Sequence, residues 1–236
     1  MNIVLFEATE IDRGLPLDDP RARHVVQVIG CGVDDRFDVG LIDGPRGKAR
    51  ITAVGPQVIE LDFAFEKQVP QLHPVALIVG MPRPPSARRI LKDVTSLGAD
   101  QIYFVGTDRG ERSYLSSRLW TKGEYRRLLL EGAEQAFCTR LPQVVVHQSL
   151  AACLDQVDLS VDLLAMDNYE ASQALGHYRP VAGRTLLAVG SERGWSAAER
   201  DLLRQRGFVL VHTGQRVLKT ETACIAGLSL VLGRRS

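Results

Sequence analysis

The sequence predicts an α/β protein with a largely parallel sheet, preceded by a small β-barrel. Three observations carry this. Beyond residue 75, near-continuous apolar runs alternate with helical stretches, the pattern of strands covered on both faces. Before residue 70, short β-type runs are separated by turn residues. Between the two, Val69-Pro70-Gln71-Leu72-His73-Pro74 carries prolines that cannot donate to a ladder, so it reads as a linker. Two domains are expected, 1–70 and 75–236.

In the first domain, strands are expected at 3–6, 37–41, 48–54 and 58–65, with turns at Asp43-Gly44-Pro45-Arg46-Gly47 and Gly55-Pro56 and one or two helical turns over 21–29. In the second, strands are expected at 75–79, 101–105, 144–147, 162–166, 185–189 and 208–212. Helix 86–97 places Ile90, Leu91, Val94 and Leu97 on one face, with Gly98 where a left-handed cap is wanted. A longer helix is expected over 118–137, and Ser196-Ala197-Ala198-Glu199 is an S-x-x-E capping box.

Composition limits the function classes. Lysine and arginine number 29 against 28 acidic residues, a balance that excludes non-specific coating of nucleic acid and leaves RNA contact to local basic clusters. The cysteines Cys31, Cys138, Cys153 and Cys224 include no C-x-x-C pair and read as reduced structural thiols. The histidines lack metal-ligand spacing, so no metal is expected. No leader pattern and no apolar run of roughly 20 residues is present, so a soluble, cytoplasmic protein is expected, with no membrane.

The chemistry concentrates near the carboxy terminus. The apolar run Thr185-Leu186-Leu187-Ala188-Val189 delivers Gly190-Ser191-Glu192-Arg193-Gly194-Trp195. The next apolar run delivers Thr213-Gly214-Gln215-Arg216-Val217-Leu218-Lys219-Thr220-Glu221-Thr222-Ala223. Ligands of parallel sheets bind beyond the carboxyl ends of strands, where glycines let backbone approach a ligand. The spacing fails G-x-G-x-x-G, which argues against a dinucleotide. Thr220 is the expected N-cap of an almost wholly apolar helix over 223–232, and Glu221 would complement its dipole.

These two loops resemble the G-P-E-G-G and L-G-P-R-I-L-R-T-E-T-A motifs of the RsmE family, 16S ribosomal RNA uridine-N3 methyltransferases of the SPOUT superfamily. The resemblance continues at Arg23-His24-Val25-Val26-Gln27-Val28, Leu97-Gly98-Ala99-Asp100, Glu111-Arg112-Ser113 and Glu131-Gly132-Ala133-Glu134-Gln135, in order along nearly the whole chain. It implies a PUA-like β-barrel domain, a trefoil-knotted α/β domain that holds S-adenosylmethionine, and a homodimer acting on the small ribosomal subunit. The cofactor residues it implies are Met166, Asp167, Val189, Gly190, Ser191, Glu192, Gly194, Thr213, Gly214, Val217, Leu218 and Thr220.

Losing the N3 proton leaves negative charge on uracil, which a guanidinium can stabilise. Arg216 is the candidate, with Glu221 to orient it or assist proton removal, or to serve only as a helix-end residue. Arg21, Arg23, His24, Arg88 and Arg112 are candidate RNA contacts, with a structural role for His24 as the alternative. The chain departs from the family at Ser191 and Gln215 (proline in both places), Arg193 (glycine), Gly30 (arginine) and Pro82-Arg83-Pro84-Pro85 (a lysine-containing loop). Two alternatives therefore stand: a non-catalytic RNA-binding or ribosome-assembly protein, and a SPOUT methyltransferase with a different RNA target.

Overall fold

The computed structural model describes residues 2–235; Met1 and Ser236, the outermost residues of the two expected domains, lie outside the described residues. The chain forms two compact units, Met1–Gln71 with Ala133–Leu141 and Leu72–Gly132 with Pro142–Ser236.

The first unit contains β1 (Val4–Phe6), β2 (Leu15–Pro16), α1 (Pro20–Arg23), β3 (Arg36–Leu41), β4 (Arg46–Val54) and β5 (Val58–Phe65). They form one sheet in the order β1-β3-β4-β5-β2. Among the described residues the hydrogen-bonded order ends at β1 and β2, so the expected barrel is not closed by strand pairing. Phe6, Val39, Ile51 and Ile59 are buried at its centre, with Phe63 edge-on to Phe6 at 5.1 Å. The expected helix begins one residue earlier, because Asp19 caps Arg21 N and Pro20 fits the first helical position. From His24 to Ile29 it widens into a π-type turn, and Gly30 closes it at φ 82°. Residues 133–141 are fastened to this unit. Asn2 Nδ2 donates to Gln135 O at 2.7 Å and Leu141 N to Asp43 Oδ1 at 3.1 Å.

The second unit comprises β6 (His73–Gly80), α2 (Pro84–Ser96), β7 (Ala99–Val105), α3 (Arg118–Thr121), α4 (Tyr125–Gln135), β8 (Gln143–His147), α5 (Leu150–Leu154), β9 (Asp162–Met166), β10 (Gln173–Ala174), β11 (Thr185–Val189), α6 (Ala197–Gln205), β12 (Val209–His212) and α7 (Thr220–Arg235); the last residues of α4 belong to the first unit. The seven strands run β10-β12-β9-β11-β6-β7-β8, with every recorded pair parallel. The near-continuous apolar runs follow from cover on both faces. Ala76, Ile78, Leu186 and Ala188 pack into one core with Leu154 of α5 and Leu203 of α6. Side chains alternate along a strand, so Leu187 points the other way, towards Gly227 of α7.

Several expected boundaries move. The helix expected over 118–137 is two helices, because Gly123 sits at φ 66° between them and ends the first. β6 starts at His73 and takes in Pro74, which falls where the pairing with β7 shifts register, a place where the missing amide costs nothing. Prolines 84 and 85 occupy the first turn of α2, and Gly98 follows it at φ 80°. The Ser196–Glu199 capping box forms in both directions, with bonds of 3.1 and 2.8 Å. Thr220, expected before the last helix, is its first residue, and that helix runs on to Arg235.

Candidate cofactor site and its family

β9, β11 and β12 lie side by side, and their pairings bring Met166 opposite both Val189 and Val211. All three strands therefore end at one edge of the sheet. The segments that follow them enclose a cavity of about 140 Å3, lined by residues of 166–169, 189–194 and 213–223. The strand ends supply its apolar wall through Met166 and Val189, and the last loop adds Val217 and Leu218. Val217 is 79% exposed and stands at the mouth.

Each loop is held by specific bonds. Asp167 is 5% exposed. Its Oδ1 accepts from Tyr169 N and Glu170 N at 2.8 and 2.7 Å, and its Oδ2 accepts from Arg200 Nε at 2.7 Å. The Arg200 guanidinium also lies 5.1 Å from the centre of the Tyr169 ring. A charge buried this deeply is retained because it is paired and fully hydrogen-bonded. Asn168 Nδ2 reaches Arg216 O at 3.3 Å and ties the first loop to the third.

The middle loop turns on Gly194, at φ 65°, which donates to Ser191 O at 2.8 Å. A Cβ on Gly190 would stand 3.0 Å from Gly194 Cα, and one on Gly80 would stand 2.4 Å from Ser191 N. The loop is thus closely folded on itself and pressed against the end of β6. Glu192 Oε1 accepts from Arg83 N at 3.0 Å, and Ser191 Oγ lies 3.2 Å from Thr107 Oγ1, which donates to it. In the third loop, Gly214 takes φ 118° and donates to His212 Nδ1 at 3.1 Å.

Of the residues expected to hold the cofactor, Met166, Asp167, Val189, Gly190, Ser191, Glu192, Gly194, Thr213, Val217, Leu218 and Thr220 line this cavity, whereas Gly214 shapes the turn without lining it. Asn168, Tyr169 and Ala223 also line it and were not foreseen, as does Arg193, the departure from the family's glycine in that loop. Arg193 therefore belongs to the wall, and its guanidinium has no partner among the described residues. Arg200, the residue after the Ser196–Glu199 capping box, supports the wall through Asp167.

The catalytic pair does not meet. Glu221, 7% exposed, is bound to Arg89 Nη1 at 3.1 Å and not to the Arg216 guanidinium, which has no partner among the described residues. The Glu221 carboxyl lies below its ordinary range. Its own amide at the helix start is the largest cause; burial opposes this, and Ser86 and Arg89 add to it. Its bond to Arg89 corrects the expectation that it orients Arg216.

The RNA candidates divide. Arg21 is committed internally, with Glu10 at 2.7 and 3.0 Å, Asp19 at 2.8 Å and Leu5 O at 3.0 Å, so its donors are not available for phosphate. Arg23 is exposed and donates to Asp18 O at 2.6 Å. His24 Nε2 is buried without a partner among the described residues. Arg88 is paired with Glu124 at 2.7 Å, and Arg112 is exposed and unpaired among the described residues.

A family model described as RNA methyltransferase domain matches residues 69–232. Ribosomal RNA small subunit methyltransferase E of Treponema pallidum is 38% identical, over 98% of this chain and 91% of its own length. The chain belongs to the ribosomal RNA small subunit methyltransferase E family. A Borreliella burgdorferi relative, Ribosomal RNA small subunit methyltransferase E 1, is 28% identical over 96% of this chain and 95% of its own. Among solved structures, the family's member from Neisseria gonorrhoeae, bound to S-adenosyl methionine, shares the fold at TM-score 0.80 and 22% identity, over 99% of this chain and 97% of that one. A Legionella pneumophila methyltransferase in complex with the same cofactor gives 0.77 at 19%, over 99% and 97%. In this family member, the glycine-bearing loops and the apolar strand ends converge on the 140 Å3 cavity.

Proposed function

We propose that this protein methylates N3 of a uridine in 16S ribosomal RNA of the small subunit, using S-adenosylmethionine. The observation that carries the reading is the convergence of three strand ends and two glycine turns on one cavity, in a chain of this family.

The residues present fit the cofactor. The lining offers apolar contact from Met166, Val189 and Leu218 and close backbone approach at Gly190 and Gly194, which is what an adenosine group and its ribose need. At about 140 Å3 the cavity is smaller than the roughly 300–1,000 Å3 that encloses a drug-sized ligand. It is therefore large enough for part of the molecule, and the exposed Val217 at its mouth leaves the remainder open to solvent. When bound, S-adenosylmethionine supplies an electrophilic methyl group.

The chain's own part is positioning and charge stabilisation, with no covalent nucleophile. Asp167 and Arg200 fix the first loop, Gly194 sets the second, and Asn168 fastens the third. Arg216, exposed and with a guanidinium that has no partner among the described residues, stabilises the negative charge left on uracil once N3 loses its proton, a role supported by the bond of its backbone carbonyl to Asn168 of the cavity wall. Glu221 seats the start of α7 against α2 through Arg89. N3 lies on the Watson–Crick edge, so the substrate uridine is unpaired or flipped. Arg23 and Arg112 contribute phosphate contacts.

The same reading includes a PUA-like first unit, supported by its five-stranded sheet. It includes a trefoil knot, supported by β12 lying between β10 and β9, which both precede it. It also includes a homodimer, supported by the exposure of Leu230 on α7. Methyl transfer from labelled S-adenosylmethionine to undermethylated small subunits, followed by nucleoside analysis, tests the activity, and label at any atom other than uridine N3 would refute it. Arg193 in the wall favours one other reading, a non-catalytic RNA-binding protein. Calorimetry separates the two, since micromolar cofactor affinity excludes it.

A further inference from the structure

Across the Thr107–Ser191 hydrogen bond lies a second cavity of about 620 Å3, large enough to enclose a nucleotide. It opens at the carboxyl ends of β6, β7 and β8, where Met81, Gly106 and Gln148 leave the sheet. Its floor is apolar: Met81 and Leu150 are each 2% exposed, with Leu202 beside them. Its polar lining includes the carboxylates of Asp108 and Glu111. One Asp108 carboxylate oxygen accepts from Ser196 Oγ, and one Glu111 oxygen accepts from Ser113 N. The other oxygen of each has no partner among the described residues. Arg112 adds an unpaired guanidinium. None of these groups has a part in the cofactor cavity.

An apolar floor beside carboxylate acceptors matches a nucleobase whose edge carries adjacent N–H donors, and the guanidinium in the same lining matches the phosphate attached to it. Guanine presents a ring N–H beside an amino group, so one carboxylate can accept both. Uracil would set carbonyl oxygens against the same carboxylates. We propose that this cavity receives an unpaired guanine nucleotide of the RNA substrate, with Glu111 as the specificity-determining residue and Arg112 on its phosphate. That an RNA supplies it rests on the function proposed above.

The test is direct binding. The full chain, with and without S-adenosylmethionine, is titrated with GMP, AMP, CMP and UMP in turn while the backbone amides of Gly106, Gly110 and Ala151 are followed by NMR. GMP is expected to shift these amides and to bind on the order of tenfold more tightly than UMP, the effect of one charge-assisted bond. Glu111→Gln should remove that preference. Arg112→Ala should weaken all four nucleotides alike, and neither variant should change cofactor affinity. Equal binding of the four, shifts confined to residues 166–194, or an unchanged preference in Glu111→Gln would overturn the proposal. Methyl transfer is assayed separately. A chain that methylates uridine but shows no GMP response loses this site and keeps its activity; the reverse result keeps this site and refutes the activity.

Discussion

Gly194 adopts φ 65° with the Tyr169 ring 3.9 Å from where a Cβ would project. A β-branched residue at such φ is strained by about 1–3 kcal/mol. Gly194→Val is therefore expected to weaken S-adenosylmethionine binding by tenfold or more, as read by calorimetry with the fold checked by circular dichroism; unchanged affinity would make the loop merely structural. Asp167 makes a different claim. Removing one partner of a buried ion pair costs about 3–5 kcal/mol, so Asp167→Ala should lower the urea midpoint sharply. A midpoint close to the parent's would mean that Arg200 is solvated by other means. The lining residues were legible where glycine punctuated an apolar run, as at Gly190 and Gly194. Tyr169 and Arg200 were not, because an exposed aromatic and a lone arginine carry no periodic signal, and for Arg193 the sequence marked the departure from glycine but not the direction of its side chain. The Glu221–Arg89 pair joins residues 132 apart in sequence, which no local pattern encodes.

The elements of the second unit were largely readable, because strands buried on both faces leave near-continuous apolar runs. Short pieces escaped: β2 and β10 have two residues each, too few for any period. The long helix expected over 118–137 failed at Gly123, whose left-handed backbone outweighed the helical pattern on either side. α7 shows what an almost wholly apolar helix is for. Its Gly227 lies so close to the sheet that a Cβ would stand 2.5 Å from Met166 Sδ and 3.0 Å from Leu187 Cδ2. Met166 also lines the cofactor cavity, so the seating of α7 and the shape of that wall are linked. Overpacking a tight contact costs about 1–3 kcal/mol. Gly227→Leu should therefore reduce both thermal stability and cofactor affinity, whereas a fall in stability alone would separate the helix from the site.

At the scale of the whole molecule, strand order was the least legible feature. Nothing in the run 209–212 indicates that it inserts between β10 and β9, since pairing of non-consecutive strands is set by tertiary packing. Nor does the sequence around 133–141 indicate that it joins the first unit, which it does through hydrogen bonds to Asn2, Asp43 and Gly44. These arrangements matter because they bring three strand ends to one edge, where the segments that follow them enclose the cavity. The measurement that bears most directly on this account is transfer of labelled methyl from S-adenosylmethionine to undermethylated small subunits by the parent chain and by Arg216→Ala. Label in 3-methyluridine is predicted for the parent, with turnover about 10- to 100-fold lower in the variant at nearly unchanged cofactor affinity. No label in uridine from a chain that binds the cofactor would contradict it.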